Sequence, residues 1–295
     1  MAAGSKRLIG VAFVLVIVVW ATRPATMQPR ATSAARIVSL VPALTEMLFA
    51  IGAGPQVIAV SSYDEFPPEV KALPRVGALL DPDMERVLAL RPDLVVSYGS
   101  QTDVQEQLAR AKIRVFSYRH AGLAGVFTTL KDLGAAVGKP AEGEKLAREI
   151  RTGLDGIQTR VRGRPKPRTL LVFERDPASL RGVYVSGGVG FLHDMLGVAG
   201  GVNVFADVAR ESVQPSIETM LARAPEVILE VRATGLLAAT DVAQAKRVWA
   251  ALAAVPAVKQ GRIEILTGEH LVVPGPRVVQ ATEAFARALH PDPFK

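Results

Sequence analysis

Cysteine is absent from the 295 residues. Its absence excludes disulfides, iron–sulfur clusters, thiolate metal sites and a cysteine nucleophile, and leaves the redox compartment open. Histidine is scarce: His120, His193, His270 and His290 form no i, i+4 pair and no H-E-x-x-H, so no helical zinc site is encoded. Tryptophan occurs only at Trp20 and Trp249. The formal net charge is +7, but Lys6, Arg7, Arg23 and Arg30 lie in an acid-free stretch before residue 32, and the rest carries only +3. With no Lys/Arg run interleaved with aromatics, nucleic-acid binding is not expected. Nucleotide and hydrolase motifs are missing too. Gly187-Gly188-Val189-Gly190 lacks the Walker lysine and the last glycine of the dinucleotide fingerprint, so it reads as a tight turn. No serine sits in a G-x-S-x-G elbow, and no acid/base set stands at legible spacing. A non-enzyme is expected, with an exported enzyme acting on a cofactor or chelate as the alternative.

What is present begins with Lys6-Arg7 followed by the apolar run Leu8 to Ala21. The pattern is that of an export signal, and the run falls short of the roughly 20 residues of a membrane span. Cleaved signal and retained anchor are both compatible with it, and either puts residues 36–295 outside the cytoplasm. Residues 1–35 are read as signal and linker.

The centre of the sequence is a segment written twice. PDMERVLALRPDLVV (Pro82 to Val96) and PSIETMLARAPEVIL (Pro215 to Leu229) align at a constant offset of 133 residues. Pro82, Glu85, Leu88, Pro92 and Asp93 thereby face Pro215, Glu218, Leu221, Pro225 and Glu226. Each copy reads as a short helix opened by proline, stopped by proline and followed by a buried strand. The repeat predicts an α/β chain of two similar lobes, each with a small parallel sheet flanked by helices. Between the copies, Leu146, Ile150, Leu154, Ile157 and Val161 recur every three or four positions, which predicts one long helix joining the lobes. The lobes are expected at 36–139 and 166–295, with the bridge at 140–165. Gly200 to Phe205 reads as a turn, Tyr184 to Ser186 as a strand, and Thr267 to Pro276 as a loop.

Ligands of open parallel sheets sit beyond the carboxyl ends of strands. Tyr98 and His120 leave such ends, and Tyr63 lies in the proline-broken loop YDEFPP. Glu269 and His270 leave the last predicted strand. Tyr63, Tyr98, His120, Glu269 and His270 are therefore the candidate ligand-binding residues, and a metal shared by His120, Glu269 and His270 is a further reading. Glu85 and Glu218 each fall in a first helical turn, where an acid complements the helix dipole. Their matched positions suit a partner with two-fold symmetry and two arginine sockets.

RIVSLVPALTEMLFAIGAG, VIAVSSYDEFPPEV, the repeated segment, the long helix and GGVNVF together resemble the periplasmic substrate-binding proteins of ABC importers that have a helical backbone between lobes. That group handles cobalamin, haem and iron–siderophores. The resemblance covers 36 to about 290 and looks closest to the cobalamin-binding branch, through SSYDEFPPEV. It implies a monomeric periplasmic receptor with no cofactor and no resident metal of its own, serving an ABC importer permease and a small-molecule ligand. By it, Tyr63 would lie against the corrin ring, Tyr98 and Glu269 would be cleft positions, and Glu85 and Glu218 would engage permease arginines. The chain departs where that branch carries cleft tryptophans: those places fall near Gly77-Ala78, Ser212-Val213 and His270. Haem or another iron chelate is thus the alternative ligand to a corrinoid.

Overall fold

The computed structural model describes Met1 and residues 34–78, 81–233 and 238–294. The expected export segment and linker lie outside the described residues, up to position 33. Among the described residues no helix is long and apolar enough to cross a membrane. Ser33–Lys295 forms one compact unit.

In chain order its elements are β1 (Ile37–Ser39), α1 (Pro42–Ala50), β2 (Val57–Val60), α2 (Met84–Ala89), β3 (Leu94–Tyr98), α3 (Thr102–Arg110), β4 (Arg114–Tyr118) and α4 (Gly122–Ala136). Then follow α5 (Pro140–Val161), β5 (Arg168–Glu174), β6 (Tyr184–Ser186), α6 (Phe191–Val198), β7 (Val202–Asn203), β8 (Ser212–Val213), α7 (Ile217–Arg223) and β9 (Val227–Arg232). The chain closes with α8 (Ala239–Val248), α9 (Pro256–Lys259), β10 (Ile263–Thr267) and α10 (Val278–Leu289). Two separate sheets result, flanked by helices. The first, ordered β2-β1-β3-β4, is parallel throughout.

The second sheet corrects the expectation of two parallel sheets. Along β10-β9-β5 it is parallel, but β6 and β8 join antiparallel, so the sheet is mixed. A physical reason is the length of the return from β5 to β6. The turn through Asp176, where Asp176 N donates to Arg181 O, is too short to hold the crossover helix that a parallel neighbour needs. Gly200 to Phe205 is also more than a turn, since β7 pairs with the start of β5.

The duplication is carried into hydrogen bonding. Asp93 accepts from the backbone N–H of Ala35 and Arg36, and Glu226 accepts from that of Arg168. Arg36 in turn donates to Leu90 O, and Arg168 to Arg223 O, both at 2.7 Å. Each copy thus clamps the entry of the neighbouring strand with an acid before its own strand and a guanidinium from the other. The same device at both places fixes β1 beside β3 and β5 beside β9.

Helix α5 buries Ile150, Leu154, Ile157 and Val161 along the expected stripe. It packs on α4 from the first half and on α6 and α10 from the second. These helices, with α1 and the inward faces of β1 and β9, share one continuous apolar core. Smaller cores fill the outer face of each sheet. The two halves are therefore joined by a buried interface as well as by the long helix.

Candidate functional site

Helix α2 runs into β3 through the short turn at Leu90 to Asp93, so it lies antiparallel to that strand, and its N-terminus is at the carboxyl end of the sheet. The same holds for α7 and β9. At that end the two halves face each other across a groove with two chambers. One, of about 360 Å³, is lined by Tyr63, Ala78 and Tyr98 with Val272, Val273 and Pro274. The other, of about 220 Å³, is lined by His120 from the first half and by Phe173, Val189, Phe191, Glu211 and Ser212 from the second. Val272 borders both chambers, so they form one groove. Its walls are mainly apolar and aromatic with a few polar groups, as in small-molecule sites generally.

Three of the expected ligand residues, Tyr63, Tyr98 and His120, line this groove. Tyr118, which is not among the expected residues, lies between two of them: Tyr98, Tyr118 and His120 form an aromatic row, with ring centroids 5.3 Å and then 6.3 Å apart. Tyr118 Oη pairs with His120 Nδ1 at 3.1 Å, while Nε2 lies 3.9 Å from a Glu211 carboxylate oxygen across the groove. The ring of Phe191 meets the imidazole edge-on at 5.1 Å. Burial holds the His120 pKa below the usual histidine range, against the pull of Glu211 and Asp194, and so favours the neutral ring. The same desolvation, with Glu211 nearby, pushes the Tyr98 and Tyr118 phenols up. Tyr63 is 65% exposed, an open aromatic surface at the mouth.

Glu269 and His270 line neither chamber. They occupy a short 3₁₀ turn (Glu269–Leu271) inside the expected loop, and His270 carries a pKa lowered by burial and by Arg277. Among the described residues no three His, Cys, Asp or Glu side chains gather as a metal-holding group, so His120, Glu269 and His270 do not form the shared site considered from sequence. The other two histidines have structural partners: His193 pairs with Asn203 and His290 with Gly200 O.

Glu85 and Glu218 are both exposed, and each occupies the second position of its helix. Asp83 caps α2 by accepting from Arg86 N, and Ser216 caps α7 by accepting from Thr219 N. The Ser216 hydroxyl also holds the Glu218 carboxyl below its usual range. The repeated glutamates thus stand at corresponding corners of the groove end, one per half.

Several groups at the site carried no sequence signal. Glu211 lies in an aperiodic loop. That loop returns against Gly187 and Gly188, which receive the Arg210 and Ala206 carbonyls where a side chain would stand. Glu46 and Arg277, 231 positions apart, meet in a two-pronged ion pair at 2.9 and 2.6 Å. Arg277 also lies 4.0 Å over the Phe66 ring, which ties the loop bearing Tyr63 to the second half.

A family model described as periplasmic binding protein matches residues 37–269. The chain belongs to the periplasmic binding protein family. Within it, the vitamin B12-binding protein of Salmonella typhimurium (strain LT2) is 29% identical over 259 residues, covering 87% of this chain and 91% of that protein. Among solved structures, the periplasmic vitamin B12-binding protein of Vibrio cholerae superposes with a TM-score of 0.73 at 26% identity, covering 89% of this chain and 98% of the other. The periplasmic haem-binding protein of Roseiflexus sp. RS-1 in its apo form gives 0.74 at 27%, covering 88% and 100%. These periplasmic binding proteins share the fold and span nearly their full lengths, while their names divide between two kinds of metal tetrapyrrole.

Proposed function

We propose that this chain is an exported, non-enzymatic substrate-binding protein of an ABC importer, which holds a corrinoid-like tetrapyrrole in the groove and delivers it to a membrane permease. The observation that carries this reading is the aromatic groove at the carboxyl ends of both sheets, flanked by two exposed glutamates at one helical position. Relatives of both B12-binding and haem-binding kinds support the tetrapyrrole class. Haem is the second reading, and one feature favours it: Ala78 and Ser212 are small where the groove is lined, so no tryptophan walls confine a bulky corrinoid.

Titrating purified protein with aquocobalamin and with hemin, followed by visible spectra and calorimetry, separates the two ligands. Saturable binding of neither would end the proposal. For docking, the double reversal Glu85→Lys/Glu218→Lys is expected to abolish uptake by the reconstituted permease while leaving ligand affinity within about twofold, since rim charges act on association with the partner. Uptake that survives the double reversal would remove the glutamates from the docking role.

A further inference from the structure

His120 differs from the other imidazoles of the chain. One ring nitrogen is occupied by Tyr118 Oη at 3.1 Å, the ring plane is set by Phe191, and the whole side chain borders the apolar chamber. Among the described residues its second nitrogen makes no hydrogen bond, and the Glu211 carboxylate stands 3.9 Å away on the opposite wall. An imidazole held through Nδ1 with Nε2 facing an apolar cavity is the arrangement in which a second-sphere partner orients a metal ligand. A bare metal ion would need several protein ligands, and no such cluster occurs among the described residues. A metal already held in a macrocycle needs only an axial one.

Resting on the tetrapyrrole reading above, we infer that His120 Nε2 supplies an axial ligand to the metal of the bound tetrapyrrole, with Tyr118 as the positioning residue. The assignment requires the tautomer in which Tyr118 accepts from Nδ1–H, which places the lone pair on Nε2, and the metal must have an exchangeable axial position, as in hemin or aquocobalamin. Tyr98, next in the aromatic row, would then face the macrocycle beside the coordinated metal.

The test compares hemin, aquocobalamin and metal-free protoporphyrin IX on the full exported chain. In His120→Ala, affinity for the metal tetrapyrrole that the wild type binds is expected to fall roughly 100-fold, and protoporphyrin IX binding to stay within about twofold. The visible bands of the complex should move to those of a water-ligated metal, and added imidazole should restore them. Tyr118→Phe should weaken metal-tetrapyrrole binding about tenfold and shift the bands without losing them. Unchanged bands and affinity in His120→Ala would overturn the axial assignment and leave the receptor reading standing. Equal losses for protoporphyrin IX and the metal forms would overturn it also, since His120 would then be a wall contact. If the wild type binds none of the three probes, the receptor reading itself falls, and the axial assignment with it.

Discussion

Strands β3 and β9 are two uses of one building block, and they part company toward their carboxyl ends. Ser97 in β3 and Glu230 in β9 stand at the same offset as the rest of the repeat, and both are buried. Ser97 Oγ has no hydrogen-bond partner among the described residues. Glu230 has three: Arg175 Nε at 3.0 Å, Arg232 Nε at 2.7 Å and Trp249 Nε1 at 2.8 Å. Arg175, itself 1% exposed, spends its remaining donors on the Asp176, Pro177, Ser179 and Ala245 carbonyls. Among the described residues the first copy has no ionic tie at its strand end and continues into Tyr98, whereas the second locks its strand end. A duplicated unit has thus been divided between a ligand-facing wall and a rigid abutment.

The largest expected effect comes from breaking the abutment. Glu230→Ala strands the buried Arg175 guanidinium and the half-buried one of Arg232 and should cost about 3–5 kcal/mol in urea unfolding, with loss of the tertiary near-ultraviolet signal of Trp249. Next is the tie between the halves. Glu46→Ala leaves the half-buried Arg277 without its partner against Phe66 and is expected to cost about 3 kcal/mol. The double variant Glu46→Ala/Arg277→Met should recover part of that loss, and strict additivity would show that the pair is not coupled.

Acid should act through the imidazoles. Burial lowers the pKa of His120, His270 and His290, so the unfolded chain takes up protons first as pH falls through about 6.5. Stability is present above that value and declines below it. Burial raises Glu46 and Asp64 above the usual 4.5 and 3.8, which works in the opposite direction at lower pH, because there the folded state gains protons first. The urea midpoint should therefore fall between pH 7.5 and 5.5, and more gently below; a flat profile across the histidine range would contradict the burial argument. Smallest of all is Ser97→Ala, expected within about 0.5 kcal/mol of wild type, because no bond is lost. A large loss there would mean that the two strand ends are more alike than their partners suggest.

Legibility in the sequence followed the range of the forces involved. The repeat, the stripe on α5 and the two helix-start glutamates were readable because periodicity and capping are local. Tyr98 and His120 were readable as strand-end residues for the same reason. The antiparallel turn of β6, the Glu46–Arg277 pair and the placing of Glu211 opposite His120 depend on segments far apart in sequence, and no window of residues contains them. Glu269 and His270 were drawn toward the groove by their place after a strand, but the short 3₁₀ turn carries them past its lining and leaves Val272 there instead.

One contact at the groove floor bears on how the chain is made. Helix α4 has no side-chain cap of its own; its leading N–H at Leu123 is satisfied by Asp194 Oδ2, 71 positions further along, and Gly122 (φ 63°) leaves room for that carboxylate. During synthesis the first half therefore reaches the ribosome exit with this helix still open at its start. Closure waits for α6 (Phe191–Val198), so this turn is completed only after the chain has emerged well into its second half, and a fragment ending before Asp194 would leave that turn frayed and open to proteases.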